Sequence, residues 1–274
     1  MSLLWAIVIL VVVNVATIGA MLAVRRRAPE GSYFSDGDRA AGVFGVITTG
    51  FSVLLGFIIF LAFTSYDDTK QGAETEAQVV AQQFETAQFM PAAQRQDLAD
   101  GLVCYARYVV HRAWPRLEAG TEGDRFNPWG VSMFRTLQQV QPNGPTEEAA
   151  FSKWLDQTSD RTAARQDRIH AAQGVVPIPL WIVLFLTAGV IGLFMLFFAD
   201  SGERAKTQAL LIGSVVSVVV AMLLLLSFLD NPYYGGVGAL KPVAMKRTES
   251  ILARERVIVG SNTPLPCNAN GDPR

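Results

Sequence analysis

The chain has 274 residues, of which 50% are hydrophobic and only 17% are charged. In soluble domains about a quarter of the residues are charged, so this composition indicates an integral membrane protein. The formal net charge of -1, from 23 basic and 24 acidic residues, lacks the basic surplus typical of nucleic-acid binding. We therefore expect the lipid bilayer, and no nucleic acid, as a partner.

Four stretches contain no Asp, Glu, Lys or Arg, namely 1–24, 40–66, 171–199 and 207–229. Each is long enough to supply the roughly 20 apolar residues that cross about 30 Å of hydrocarbon. The basic cluster Arg25, Arg26 and Arg27 follows the first stretch, whereas a cleavable signal peptide has its basic region in front. The sequence predicts four transmembrane helices, the first of them an uncleaved anchor.

Basic residues in the short loops predict the orientation of the chain. They fall between Arg25 and Arg39 and at Arg204 and Lys206. The positive-inside rule places these loops in the cytoplasm of a multi-pass plasma-membrane protein. The N-terminus, the segment 66–176 and the C-terminus are then expected on the outer side.

This topology divides the chain into six segments. They are 1–41 with the first helix and a short basic loop, 42–65 with the second helix, 66–176 as an extramembrane helical domain, 177–230 as a hairpin of the third and fourth helices, 231–260 as an interfacial segment, and 261–274 as a tail. The tail is expected to be disordered because it is rich in Asn, Pro and Gly and has little to bury.

The second helix carries a stripe of residues three and four apart on one face, which we call the α2 stripe: Gly42, Gly45, Thr49, Ser52, Gly56, Ile59 and Phe63. One interpretation is a pore lining that Ile59 and Phe63 narrow, with Asp67 and Asp68 at its mouth. The other is a helix-packing stripe with a solvated end, because small residues let membrane helices approach closely.

The same register continues beyond the span, and no proline occurs between Gly42 and Pro91. The sequence therefore predicts one continuous helix of nearly fifty residues, about 70 Å long. Gly72 is its expected weak point, because an exposed glycine costs about 1 kcal/mol relative to alanine in a helix interior.

The region between the second and third spans shows no period-two alternation, so the predicted fold is all-α. Arg161, Arg165 and Arg168 share one face of its last predicted helix. They could form a ligand or anion site, or pair with an acid among Glu74, Glu76 and Glu85. The alternative is salt bridging within the bundle or contact with lipid headgroups.

The chain has two cysteines, Cys104 in the helical domain and Cys267 in the tail. The predicted topology puts both on the same side of the membrane, and a disulfide can form between them if that side is oxidising. The alternative is two unrelated thiols, one half-buried on a helix and one in a floppy tail.

Sequence motifs for catalysis are absent. The two histidines, His111 and His170, have no cysteine or histidine partner at zinc-binding spacing. The chain has no Gly-rich phosphate loop, nucleophile elbow or HExxH motif. We therefore predict that the protein is not an enzyme and that it holds no cofactor or metal.

Several stretches together resemble a bacterial family of four-span membrane proteins of unknown function, described as bestrophin-like. They are the second helix running into Glu76-Ala77 and on to Pro91, the pattern Tyr105, Tyr108, Val109 and Trp114-Pro115, the arginines at 161, 165 and 168, Pro177 with Trp181, and Pro232, Gly235 and Pro242. The chain departs from the family at Arg112-Ala113, where an acidic residue is expected before the Trp-Pro pair, so a salt bridge from such an acid is not expected here.

The resemblance implies a helical, oligomeric membrane protein, and an ion channel, because bestrophins are pentameric anion channels. Bestrophins keep their large extramembrane region in the cytosol, whereas the loop charges here place 66–176 outside. Our first hypothesis is a homo-oligomeric ion channel whose second helix surrounds the symmetry axis. The alternative is a membrane-anchored sensor or scaffold whose helical domain binds a ligand or protein partner.

Overall fold

The computed structural model describes residues 3–30, 33–121, 126–261 and 263–274. These ranges contain the helices α1 (Leu3–Arg25), α2 (Gly37–Ala87), α3 (Ala92–Tyr108), α4 (Trp114–Glu118), α5 (Pro128–Leu137), α6 (Pro145–His170), α7 (Ile178–Phe197), α8 (Ala205–Asp230) and α9 (Val243–Ile258). A π-helical turn, Val109–Ala113, joins α3 to α4, and a 3-10 turn, Ala171–Gln173, follows α6.

The predicted fold class is confirmed. Apart from one isolated bridge between Cys267 and Pro273, no β-structure occurs in the described ranges. Four helices are long and apolar enough to cross a membrane, namely α1, α2, α7 and α8. As predicted, α2 is one uninterrupted helix, and it has 51 residues.

The chain divides into two compact units. The first comprises Met1–Thr64, Gly174–Asn231 and Gly235–Gly238, and the second comprises Ser65–Gln173, Pro232–Tyr234 and Ala239–Arg274. The first unit thus holds α1, α7, α8 and the earlier part of α2, while the second holds the later part of α2, α3 to α6 and α9.

In the first unit, α1 packs against α8 around a polar contact. The Asn14 side chain accepts a hydrogen bond from Ser217 Oγ at 3.1 Å and donates one to Leu10 O at 2.9 Å. An amide facing hydrocarbon without a partner would be costly, so this contact satisfies Asn14 where water is absent.

The two short loops of the first unit meet each other. Arg25, at the end of α1, donates hydrogen bonds to the carbonyl oxygens of Asp200 and Ser201, each at 3.1 Å. The backbone N–H of Tyr33 donates to Phe197 O at 3.3 Å. The α1–α2 and α7–α8 loops therefore lie at the same end of the unit.

The second unit has an apolar core drawn from all of its helices. Its largest fully buried side chains include those of Phe84, Leu102, Leu117, Met133 and Trp154. The segment 231–260, predicted to lie at the membrane interface, also contributes to this core through Tyr233, Met245 and Leu252, which the sequence did not indicate. Burial of apolar area at about 25 cal/mol per Å² is the main force that holds such a bundle together.

The helix that the sequence predicted to end at Pro115 continues to Glu118. Proline lacks an N–H and its ring clashes with the carbonyl four residues earlier, here that of His111, in a regular α-helix. The π-helical turn Val109–Ala113 lies just before the proline and changes the hydrogen-bond register there. The wider turn lets the helix pass the proline.

The prediction of a disordered tail is wrong for the described residues of 261–274. Cys267 forms a disulfide with Cys104 of α3, and both are fully buried. Trp129 Nε1 donates a hydrogen bond to Gly271 O at 2.6 Å. Gly271 has φ +82°, and an added Cβ would lie 2.3 Å from Tyr108 N, so only glycine fits there. Composition alone could not reveal a covalent link and a close backbone contact.

Arg112 forms a salt bridge, although the resemblance led us to expect none from an acid in this region. Here the α3–α4 region supplies the base, and the tail supplies the acid. Its Nε lies 2.9 Å from Asp272 Oδ1 in the tail. Hydrogen bonds from Arg112 and Asn268 lower the pKa of Asp272, and the hydrogen bond to Asp272 raises the pKa of Arg112. The tail thus carries the acid that the α3–α4 region lacks.

Gly72 is not the exposed weak point that the sequence predicted. It is buried, and α2 is continuous through it, because α6 crosses α2 at this position. An added Cβ would lie 2.7 Å from Asp167 Cβ, 2.8 Å from Arg168 N and 2.9 Å from Ala164 O. Glycine is therefore needed for the close approach of the two helix backbones.

Replacing Gly72 with alanine tests this contact. Alanine favours a helix by about 1 kcal/mol over glycine, yet we expect Gly72→Ala to destabilise the second unit by about 1–3 kcal/mol, because its methyl group overlaps α6 backbone atoms. The measurement is the thermal unfolding temperature of the purified protein in detergent.

Gly130→Ala in α5 is the matched control, because an added Cβ there meets nothing within 4 Å. It should leave the unfolding temperature unchanged or slightly raised. A Gly72→Ala protein as stable as the wild type would contradict the tight α2–α6 contact.

Candidate functional site

The buried face of α2 in the first unit is not the predicted stripe. It consists of Phe51, Leu55, Ile58 and Ala62, which are at most 4% exposed. At about 100° per residue, these four residues lie on one side of the helix.

The α2 stripe lies about 120° around the helix from this buried face. Two of its members, Gly45 and Ile59, are half-buried, and the others are exposed: Gly42, Thr49, Ser52, Gly56 and Phe63. An added Cβ at any of its three glycines would meet nothing within 4 Å. The stripe is therefore not used for close packing within the described part of the chain.

The acidic pair that follows the stripe lies in the second unit. Asp67 is half-buried and accepts a hydrogen bond from Gln71 Nε2 at 3.0 Å, whereas Asp68 is exposed. Their role as a pore mouth stays a prediction.

The three predicted arginines of α6 have different environments. Arg161 and Arg168 are buried, at 5% and 1% exposure, and Arg165 is half-buried. The two buried guanidinium groups face the later part of α2. Of the three acids considered as partners, Glu76 is fully buried, whereas Glu74 and Glu85 are exposed.

Glu76 and Arg168 form a buried ion pair. Arg168 Nε donates to Glu76 Oε2, and Arg168 Nη2 lies 3.4 Å from Glu76 Oε1. Tyr105 Oη donates a further hydrogen bond to Glu76 Oε1 at 2.6 Å. The Arg168 guanidinium also lies 5.8 Å from the ring centroid of Trp114, and the Tyr233 hydroxyl donates to Arg168 O. Arg168 and Tyr105 together satisfy the buried carboxylate.

The electrostatics of the cluster keep Arg168 charged and Tyr105 protonated. Burial disfavours a charged Arg168, but the Glu76 carboxylate outweighs it and raises the pKa of Arg168. Burial and the charge of Glu76 raise the pKa of Tyr105, so its phenol stays a hydrogen-bond donor. Both donors to Glu76 thus keep their protons over the physiological pH range.

Arg161 contacts α2 in a similar way, but its partner there is the uncharged amide of Gln83. Its Nη1 donates to Gln83 Oε1 at 2.6 Å, and its guanidinium lies 4.9 Å from the ring centroid of Tyr105. Burial lowers the pKa of Arg161, while Tyr105 and Glu76 oppose this shift. An aromatic face stabilises a desolvated cation of this kind.

Sequence reasoning missed Gln83 and Tyr105 as members of this cluster. A signal was present, because Glu76 and Gln83 are seven residues apart on α2, as are Arg161 and Arg168 on α6. Glu76 pairs with Arg168, and Gln83 pairs with Arg161. The order of the partners is thus reversed between α2 and α6, as two antiparallel helices require. Two heptad-spaced polar pairs on otherwise apolar faces would have predicted the contact.

Breaking the buried ion pair from one side should be costly. We expect Glu76→Gln to lower the stability of the protein by about 3–5 kcal/mol, because it leaves the Arg168 charge buried without a counter-ion. The double variant Glu76→Leu with Arg168→Met should lose less than Glu76→Gln does. Thermal unfolding of the purified variants in detergent measures both.

Glu74→Gln, at an exposed site on the same helix, is the control and should behave like the wild type. Equal unfolding temperatures for Glu76→Gln and Glu74→Gln would show that the pair contributes nothing to stability. A double variant that loses more stability than Glu76→Gln does would contradict the charge argument.

Known structures with a similar fold include bacterial bestrophin homologues. Two point mutants of a bacterial bestrophin homologue from Klebsiella pneumoniae align with TM-scores of 0.65 and 0.66, each at 12% identity and over 94% of this chain and 98% of that one. A structure described as a membrane protein aligns with a TM-score of 0.65 at 11% identity, over 89% of this chain and 97% of its own. At such low identity these similarities show the fold alone. No curated protein sequence matches the chain.

The family evidence is independent of these structures. The Bestrophin-like domain matches residues 5–242 of the chain, a range that includes α2, α7, α8, all but the first two residues of α1, and the buried cluster. The resemblance seen in the sequence is thereby confirmed. The chain belongs to the Bestrophin-like domain family and is a membrane protein with the bestrophin fold.

Proposed function

We propose that the protein is a homo-oligomeric ion channel in which the α2 stripe of each protomer faces a central conduit. The observation that carries this proposal is the open stripe. The first unit buries a different face of α2, while the glycines of the stripe have no neighbour within 4 Å of an added Cβ. A face of small residues left uncovered in one protomer is suited to symmetry-related contacts.

The chemistry along the stripe suits passive conduction. Thr49 and Ser52 supply hydroxyl groups, and Gly56 leaves space beside them. Ile59 and Phe63 follow as apolar residues that would narrow the conduit, and hydrophobic constrictions gate some channels by expelling water. The 40–66 stretch contains no Asp, Glu, Lys, Arg or His, so no charged relay for coupled transport is present there.

The exposed side of α2 away from the stripe has a different composition. Val46, Val53 and Phe57 are 60–75% exposed there. Large apolar side chains of this kind suit lipid or the flank of a neighbouring protomer. Membership of the Bestrophin-like family supports the proposal further, because the resemblance to bestrophins implies an oligomeric channel.

A matched pair of phenylalanine replacements tests which face lines the conduit. Phe63 and Phe57 are on the same helix, with exposures of 54% and 60%, but they point about 120° apart. We expect Phe63→Ala to raise the single-channel conductance at least about twofold, because it removes part of an apolar constriction. Phe57→Ala should leave the conductance unchanged. The measurement is planar-bilayer recording of the reconstituted protein.

The oligomeric state in detergent, from mass photometry or cross-linking, accompanies these recordings. A monomer with no conductance would overturn the channel proposal. An oligomer in which Phe57→Ala alters conductance and Phe63→Ala does not would assign the conduit to another face of α2.

We also propose that the N-terminus, residues 66–176 and the C-terminus face the exterior. The basic residues of the two short loops support this orientation, and those loops meet at one end of the first unit through Arg25. The Cys104–Cys267 disulfide supports it independently, because such bonds persist in oxidising compartments.

Single introduced cysteines can test this orientation, because the described residues contain no free cysteine. Ser152 on α6 and Ser201 in the α7–α8 loop are both exposed. We expect a membrane-impermeant maleimide to label Ser152→Cys in intact spheroplasts and to label Ser201→Cys only after lysis. The opposite labelling pattern would place the helical domain in the cytosol, as in bestrophins.

A second candidate function, a membrane-anchored sensor or scaffold, is favoured by a cleft in the second unit that Arg168 lines. A sensor would bind a ligand there without conducting ions. Recordings that show no conductance for an intact oligomer would favour this candidate.

A further inference from the structure

A cleft of about 650 Å³ opens in the second unit beside the buried ion pair. Its apolar wall includes Val109, Trp114 and Met245, and the Trp114 indole is held by a hydrogen bond from its Nε1 to Leu240 O at 3.3 Å. Pockets that bind small molecules combine such apolar walls with a few fixed polar groups. Arg168 supplies a polar group of this kind.

The unusual feature of the cleft is an unsatisfied donor on Arg168. Glu76 engages Nε and Nη2 of the guanidinium, while Nη1 is buried and has no hydrogen-bond partner within the described part of the chain. Arg168 is 1% exposed and lines the cleft. A buried charged donor without an acceptor is strongly disfavoured, so the site calls for an acceptor from outside the chain.

The charges around the cleft indicate what kind of acceptor fits. Four basic side chains line it, against two acidic ones, which leaves a surplus of two positive charges. Glu76, one of the two acids, already accepts hydrogen bonds from Arg168 and Tyr105. Three of the basic side chains are exposed around the cleft, namely Lys70, Lys241 and Arg247. An anion is therefore favoured over a neutral acceptor.

We propose that this cleft binds a small organic anion, whose oxyanion group accepts a hydrogen bond from Arg168 Nη1 and whose apolar body packs against Trp114 and Met245. A soluble carboxylate and the phosphate of an anionic lipid share this oxyanion chemistry. Binding here does not depend on conduction through the α2 stripe.

The test uses the full-length protein in nanodiscs of phosphatidylcholine, titrated with octanoate and, separately, with inorganic phosphate. Isothermal calorimetry should show saturable octanoate binding at one site per chain. A second preparation in phosphatidylglycerol nanodiscs distinguishes the source: octanoate that binds equally well in both lipids identifies a soluble anion, and octanoate excluded by phosphatidylglycerol identifies the lipid headgroup.

Three variants locate the site. Ala244→Trp leaves the Glu76 and Arg168 residues unchanged but fills the cleft, and it should weaken binding at least about tenfold, because the ligand loses its space and its charged hydrogen bond. The double variant Lys241→Gln with Arg247→Gln removes two charges at the rim of the cleft. It should weaken ligand binding about two- to tenfold and make the affinity less dependent on salt concentration. Lys153→Gln, an exposed site outside the cleft, should leave affinity unchanged.

Octanoate, phosphate and phosphatidylglycerol that all fail to bind the wild-type protein would overturn the proposal. Equal affinity in the wild type, Ala244→Trp and the rim double variant would overturn it as well, because the ligand would then bind elsewhere. An experimental structure with only water against Arg168 Nη1 in the presence of saturating ligand would have the same consequence.

Discussion

The second unit depends on one contact, the antiparallel crossing of α2 and α6. Glu76 is fully buried, so its charge is tolerated because Arg168 and Tyr105 both donate to it. Those donors reach it because Gly72, one turn earlier on the same face of α2, lets the α6 backbone come close. A side chain at Gly72 and a missing charge at Glu76 would therefore damage the same arrangement.

A buried ion pair is weak evidence for stability, because apolar residues of similar volume often serve as well. Here the ion pair contributes mainly by fixing how α6 is aligned along α2. Glu76 matches Arg168 and Gln83 matches Arg161, so a shift of α6 by one turn would bury two guanidinium groups against the wrong partners. The aromatic rings of Tyr105 and Trp114 add to this selectivity, because each lies against only one of the two arginines.

The sequence predicted the features that follow from local patterns. Charge-free runs indicated the four apolar helices, and the absence of proline indicated the length of α2. Features that depend on residues distant in the chain could not be predicted in this way. Gly72 looked like a weakness because its neighbour Ala164 is 92 positions away, and the tail looked disordered because its anchors, Cys104 and Trp129, lie in other helices. The partner of Arg168 was among the acids considered, but periodicity alone could not choose it.

The disulfide joins residues 163 positions apart, Cys104 in α3 and Cys267 beyond α9. A ribosome must therefore synthesise α4 to α9, including the last apolar helix, before this bond can form. Until then Cys104 and Trp129, which are buried in the complete structure, lack the partners that Cys267 and Gly271 supply. The covalent closure of the second unit is therefore a late step of its biogenesis, which follows the synthesis of every helix that it closes.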